Sequence, residues 1–221
     1  LLGTSLTAAD VYRAARGETV TSNTGQPFQL IRPLDFLVLT DHAEAMGLAP
    51  MVRDSNPVLL SSKRGREVWE AFNAGGEQAM KAFGGLLADV SAGVNPFADI
   101  DMAGSVWPEF VTLADTYNQP GVFTAMTGFE WTSQPNGNNL HRIVVFADGA
   151  DKTSLVQPFS MFDSQDPAKL WDYMERYEAS TGGRVFAHVH NGNLSNGIAF
   201  TAATVDGTPM DAAYAARRAR W

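Results

Sequence analysis

The sequence contains no cysteine. Disulfides and thiolate metal sites are therefore excluded, and any metal must be held by nitrogen and oxygen donors. No stretch approaches the ~18 consecutive apolar residues that a membrane-spanning helix needs. Basic residues are outnumbered by acidic ones, 16 against 24, which gives a net charge of -8. That balance argues against nucleic acid as a partner, since such a surface wants a basic patch or stripe. It also means that an anionic substrate would need local positive charge, from a metal or from arginines. Histidine is scarce as well, with 4 in 221 residues. What is left is an ordinary globular composition, 45% hydrophobic and 18% charged. The length suits one domain of the α/β barrel kind, or a large part of one.

The most informative stretch is Asp35-Phe-Leu-Val-Leu-Thr-Asp-His42-Ala-Glu44. Its apolar run, Phe36 to Leu39, shows no alternation and suits a strand buried on both faces. Asp41, His42 and Glu44 leave its end, and in parallel α/β folds chemistry gathers at the carboxyl tips of strands. Before it, Thr7 and Asp10 open a helix that Gly17 can end, and residues 18–34 read as a loop or short hairpin. Residues 45–119 form a long insertion, mainly helical, with helices predicted over 63–73, 77–90 and 105–118 and no clear period over 51–62. Met80, Phe97, Met102 and Trp107 there read better as helix packing than as a substrate mouth. Strands follow at 122–127, 141–146 and 184–189, with a helix started by Asp166-Pro167 and ended by Gly182-Gly183. The turn-rich segment 132–139 makes 130–141 a hairpin that sets Glu130 opposite His141. Asp206-Gly207 marks a turn, and a final helix spans 210–220.

All four histidines, His42, His141, His188 and His190, fall at strand ends or in the last strand, and none is in the helical insertion. Singly, each reads as a hydrogen-bonded core residue. Together with Asp41 and Glu130 they form a set of nitrogen and oxygen donors delivered by four strands to one rim, as a Zn, Mn or Fe centre requires. Glu130 is placed to bridge two cations. His188 and His190 are read as facing opposite ways, so that only His190 joins the centre and His188 packs behind it. Asn191, Asn193 and Asn196 are rim polars whose simplest use is turn chemistry and whose functional use is binding an anionic group. Arg142, next to His141, faces the other side of its strand and is a candidate contact for the same anion.

The stretch 35–44 resembles the second motif of the PHP (polymerase and histidinol phosphatase) superfamily of metal-dependent phosphoesterases. Gly128-Phe-Glu-Trp-Thr132, Gly137-Asn-Asn-Leu-His-Arg142, Pro158-Phe-Ser with Phe162-Asp-Ser, the Asp166-Pro helix and His190-Asn-Gly-Asn-Leu-Ser-Asn-Gly197 resemble further motifs of one branch, the DUF3604 family. The likeness runs from about residue 3 to the end and is thinnest over 51–105. It implies a distorted (β/α)7 barrel within a single domain, 1–221. It implies two or three divalent ions (Zn, Mn or Fe), with His42, Glu130, His141 and His190 as ligands and Asp41 as a ligand or orienting partner. The implied activity is hydrolysis of phosphate or sulfate esters by metal-bound hydroxide, with Asp41 and Glu130 as the catalytic carboxylates and a small anionic ester as substrate. The alternative is a metal-binding or structural module without turnover. Two superfamily motifs, a His-x-His on the first strand and an Asp-x-His on the last, are not found at those places here, and Ala187-His188-Val189 stands where Ile-Pro is usual. The chain starts Leu1-Leu2-Gly3 and ends at Trp221 inside an apparent helix. The expectation is therefore a fragment: an incomplete barrel with part of its metal site, which by itself binds metal poorly and is weakly active or inactive.

Overall fold

The computed structural model describes residues 6–221. Helix α1 (Ala8–Ala15) opens on a reciprocal cap in which Thr7 Oγ1 accepts from Asp10 N and Thr7 N donates to the Asp10 carboxylate. A short antiparallel hairpin follows, β1 (Val20–Thr21) with β2 (Pro27–Phe28). Strand β3 (Phe36–Leu39) leads through a 3-10 turn at Ala43–Ala45 into the helical insertion. The insertion contains α2 (Leu48–Arg53), α3 (Pro57–Ser61), α4 (Lys63–Ala74), α5 (Gly76–Ser91) and α6 (Met102–Tyr117). The segment without a clear period is thus helical. Two short helices hide there because Pro50 and Pro57 interrupt the pattern, although Asn56 caps Val58 N and Pro57 takes the first-turn position that suits proline.

The chain then returns to the sheet as β4 (Thr124–Trp131), β5 (Arg142–Phe146) and, after α7 (Ala150–Thr153) and α8 (Pro167–Thr181), β6 (Val185–Val189). Helix α8 carries the predicted signals, an Asp166 cap on Ala168 N, Pro167 in the first turn and Gly182 in the left-handed region. Helix α9 (Ala212–Arg220) is capped by Asp211.

The four strands lie in the order β3-β4-β5-β6. The first pair is parallel, joined through the helical insertion as a parallel crossover must be. The other two pairs are antiparallel. Among the described residues this mixed sheet does not close, which corrects the expected barrel. The physical reason is direction: a parallel barrel needs every strand to run the same way, and here β5 runs against both its neighbours. The expectation that β3 is buried on both faces also fails. It is an edge strand, and Phe36 is 61% exposed.

The two faces of the sheet differ in what covers them. Phe129, Trp131, Val144, Phe146 and Val185 pack with Trp107 and Val111 of α6 and with Leu170, Trp171, Met174 and Tyr177 of α8 into the main core. The opposite face carries Val38, Met126, Gly128, Glu130 and Ile143 by the period of two along each strand. Leu48, Met51, Leu59, Val68, Leu86, Phe97 and Met102 make a second core within the insertion. Phe97, Met102 and Trp107 are therefore packing residues, while Met80 is exposed.

Candidate metal centre

The register of the sheet brings together histidines from three strand ends. An isolated parallel bridge extends the β3–β4 ladder to His42 and Glu130. Glu130 stands opposite Ile143, not opposite His141 as the hairpin reading had it, so His141 reaches it diagonally. The β5–β6 ladder runs from Arg142↔Val189, and one step further His190 N donates to His141 O at 3.3 Å. The His141 and His190 rings lie parallel, 3° apart, with centroids 6.3 Å from each other.

The donors converge on one carboxylate. His141 Nδ1 is 2.8 Å and His190 Nδ1 is 3.1 Å from Glu130 Oε1, while His42 Nδ1 is 3.7 Å from Oε2. Glu130 is buried, and its Oε1 has no hydrogen-bond partner; nor has the buried Nε2 of His141. These are ion-pair distances, and they also leave the same donors near enough to one another to share a cation held by nitrogen and oxygen. Glu130, His141 and His190 each offer a ligand atom within 4.8 Å of the others. Burial pulls the Glu130 carboxyl upward, but the contact with His141 and the charges of His42, His190 and His141 outweigh it and hold its pKa below the ordinary value.

Not every predicted residue joins this group. Asp41 gives its backbone oxygen to Glu130 N at 2.9 Å. Its side chain lies within electrostatic reach of Tyr12 and outside the triad. It is open to water yet crowded by protein, and desolvation raises its carboxyl pKa against the pull of His42. His188 is two residues from His190 and so shares its face of the strand, which corrects the opposed reading. It pairs with Ile143, is exposed, and also stays outside the triad. Asn191 reaches the site, with Nδ2 3.1 Å from His190 Nδ1. Asn193 and Asn196 tie loops together: Asn193 O accepts from Asn139 Nδ2 at 2.9 Å, and Asn196 Nδ2 donates to the Asn138 side chain.

Two supporting residues lie outside the predicted ligand set, although Glu44 stands in the informative stretch 35–44. Thr132 Oγ1 lies 2.6 Å from His42 Nδ1 and orients that ring; its position two after Glu130, on the same face of the strand, is the signal that could have found it. Glu44 is buried and accepts from Thr132 N at 3.1 Å and Met161 N at 2.7 Å, fixing the rim from behind. Arg142 points away from the triad, as predicted, into a cavity of 610 Å³ that it lines with His190, Arg218, Trp171, Tyr214 and Phe200. Burial, and then the charge of Arg218, push its pKa down to about 10, against the opposing effect of Tyr214.

One family model, described as protein of unknown function (DUF3604), matches residues 1–221. The chain belongs to the DUF3604 family. No curated protein and no solved structure matches it. In this member of the family, the motif residues His42, Glu130, His141 and His190 are the ones that meet at the strand ends.

Proposed function

We propose that this DUF3604 chain is a metal-dependent hydrolase of phosphate or sulfate esters. The observation that carries the reading is the grouping of Glu130, His141 and His190, whose ligand atoms lie within 4.8 Å of one another, with His141 Nε2 and Glu130 Oε1 buried and without a hydrogen-bond partner. The donor set is all nitrogen and oxygen, which suits Zn, Mn or Fe. The resemblance of residues 35–44 to the second PHP motif supplies the reaction class.

A divalent cation bound there would bring Lewis acidity and lower the pKa of water from 15.7 to about 7. The residues of the chain do the rest. Glu130 directs Oε1 to His141 and His190 and Oε2 to His42, the arrangement of a carboxylate serving two neighbouring sites. That division supports two ions, the lower of the two numbers the resemblance implies. Thr132 holds the His42 ring in place through its hydroxyl at Nδ1. Asn191 offers an amide at His190, where it can hold an ester oxygen.

The second reading, metal binding without turnover, is favoured by Asp41 lying outside the triad: the expected second carboxylate is not among the residues grouped to hold an ion. Titration with Zn2+ and Mn2+ followed by native mass spectrometry, and a panel of aryl phosphates and aryl sulfates, separates the two. Two bound ions with turnover of either ester class would support the hydrolase. One bound ion and no turnover on any ester would leave the binding module.

A further inference from the structure

The cavity beside the metal centre holds two guanidinium groups that no carboxylate neutralises. Arg142 of β5 and Arg218 of α9 come from different elements and meet over one carbonyl: the Nη2 of each donates to Ala199 O at 3.3 Å. Arg142 Nη1 also donates to Leu140 O at 3.4 Å and His141 O at 2.9 Å, and Arg218 Nη1 to Thr201 O at 2.6 Å. Among the described residues neither makes an ion pair. The neighbours of Arg218 behave differently, since Arg217 pairs with Asp172 and Glu175 and Arg220 pairs with Glu178.

Two like charges brought together and partly desolvated repel each other, and the cost stands unless an anion offsets it. Carboxylates are plentiful in a chain of net charge -8, so their absence from this pair is specific to the place. A guanidinium has five N–H donors. The Nε of each arginine makes no hydrogen bond among the described residues, and each Nη2 makes one bond, so donors remain on both forks. The rest of the wall is largely apolar and aromatic, with Trp171, Ile198 and Phe200. Of the triad, His190 alone lines the same cavity, so the arginine pair and the candidate metal centre adjoin through that side chain.

We infer that Arg142 and Arg218 form an oxyanion-binding subsite, and that the molecule it takes joins a carboxylate, sulfonate or phosphate to an apolar or aromatic body. Resting on the hydrolase reading, this makes the substrate an ester with a second anionic group at its far end, the reacting group lying at His190 and the distal anion at the arginines.

The test is made on the chain stripped of metal on a chelating resin, so that the metal centre cannot hold the anion and hydrolysis plays no part. Benzenesulfonate and its neutral counterpart benzenesulfonamide are compared by ligand-observed NMR. The sulfonate is expected to bind at least about tenfold more tightly, as for hydrogen bonds to a charged group. Arg218→Gln should abolish that preference and Arg218→Lys should restore part of it, whereas a residue that merely tethers the carbonyls of residues 199 and 201 would leave it unchanged. Equal binding of the two probes to the unaltered chain, or binding of neither, overturns the subsite whatever the variants do. A preserved anion preference in a chain that hydrolyses no ester would sink only the hydrolase reading.

Discussion

Glu130 holds three imidazoles around one carboxylate, and two substitutions separate what it does from what its neighbours do. Glu130→Gln keeps the volume and removes the anion and one ligand oxygen. Thr132→Val leaves every candidate ligand in place and releases His42. Loss of an outer partner typically costs roughly 10–100-fold in metal affinity. Thr132→Val is therefore expected within that range and Glu130→Gln beyond it, as read by calorimetric titration with Zn2+. A second carboxylate acts on stability alone. Asp148 accepts from Lys152 Nζ at 2.9 Å, Tyr177 Oη at 3.0 Å and Arg184 N at 2.6 Å. Burial raises its pKa, but these three donors outweigh burial and set it below the ordinary value. A carboxyl depressed in the folded state contributes stability above its unfolded pKa, and that contribution fades as pH falls through the folded value. Asp148→Asn should cost about 1–3 kcal/mol at pH 7. The gap from the parent chain should close below about pH 4, the ordinary carboxylate range. Urea unfolding across pH measures both.

Among the elements, β4 explains most of what the site needs. Gly128 lies two residues before Glu130 on the same face, and a Cβ there would stand 2.6 Å from Val144 O and 2.9 Å from Val38 Cγ1. Only a bare Cα lets β3 and β5 flank β4 this closely. Gly128→Ala should destabilise by about 1–3 kcal/mol, the usual cost of overpacking, and should loosen the triad; denaturation and Zn2+ titration would show the two effects together. Elements with strong local signals were legible in the sequence. Helix α8 had its cap, proline and glycine, and β4, β5 and β6 their β-branched and aromatic runs. The candidate group was legible in part because all four histidines avoided the helices, although His188 stays outside it. The closure of the sheet was not, because strand direction depends on long-range pairing that no local pattern encodes. Arg218 was hidden for a similar reason: three arginines of one helix look alike until packing gives Arg217 and Arg220 carboxylates and leaves Arg218 none.

In the whole molecule, α9 is fastened to α8 by ion pairs and by the packing of Tyr214 against the Trp171 ring. Arg217 reaches Asp172 at 2.6 Å and Glu175 at 2.8 Å and lies over the Trp171 ring. Because these groups are partly exposed, solvent screens them, and Arg217→Ala should cost only about 1 kcal/mol. That loss should shrink further at high salt, which thermal melting at two ionic strengths would detect. The same helix closes one wall of the cavity, so its fastening and the position of Arg218 are coupled. The centre itself is graded in depth: the His42 side chain is 56% exposed, that of His190 36% and that of His141 10%. An ion would have a doorway past His42 and its deepest hold at His141. If an ion binds there, it would enter from the His42 side with no strand parting from its neighbour. Occupancy would track the free metal of the surroundings from moment to moment, as in a gauge, and would not be fixed once at folding.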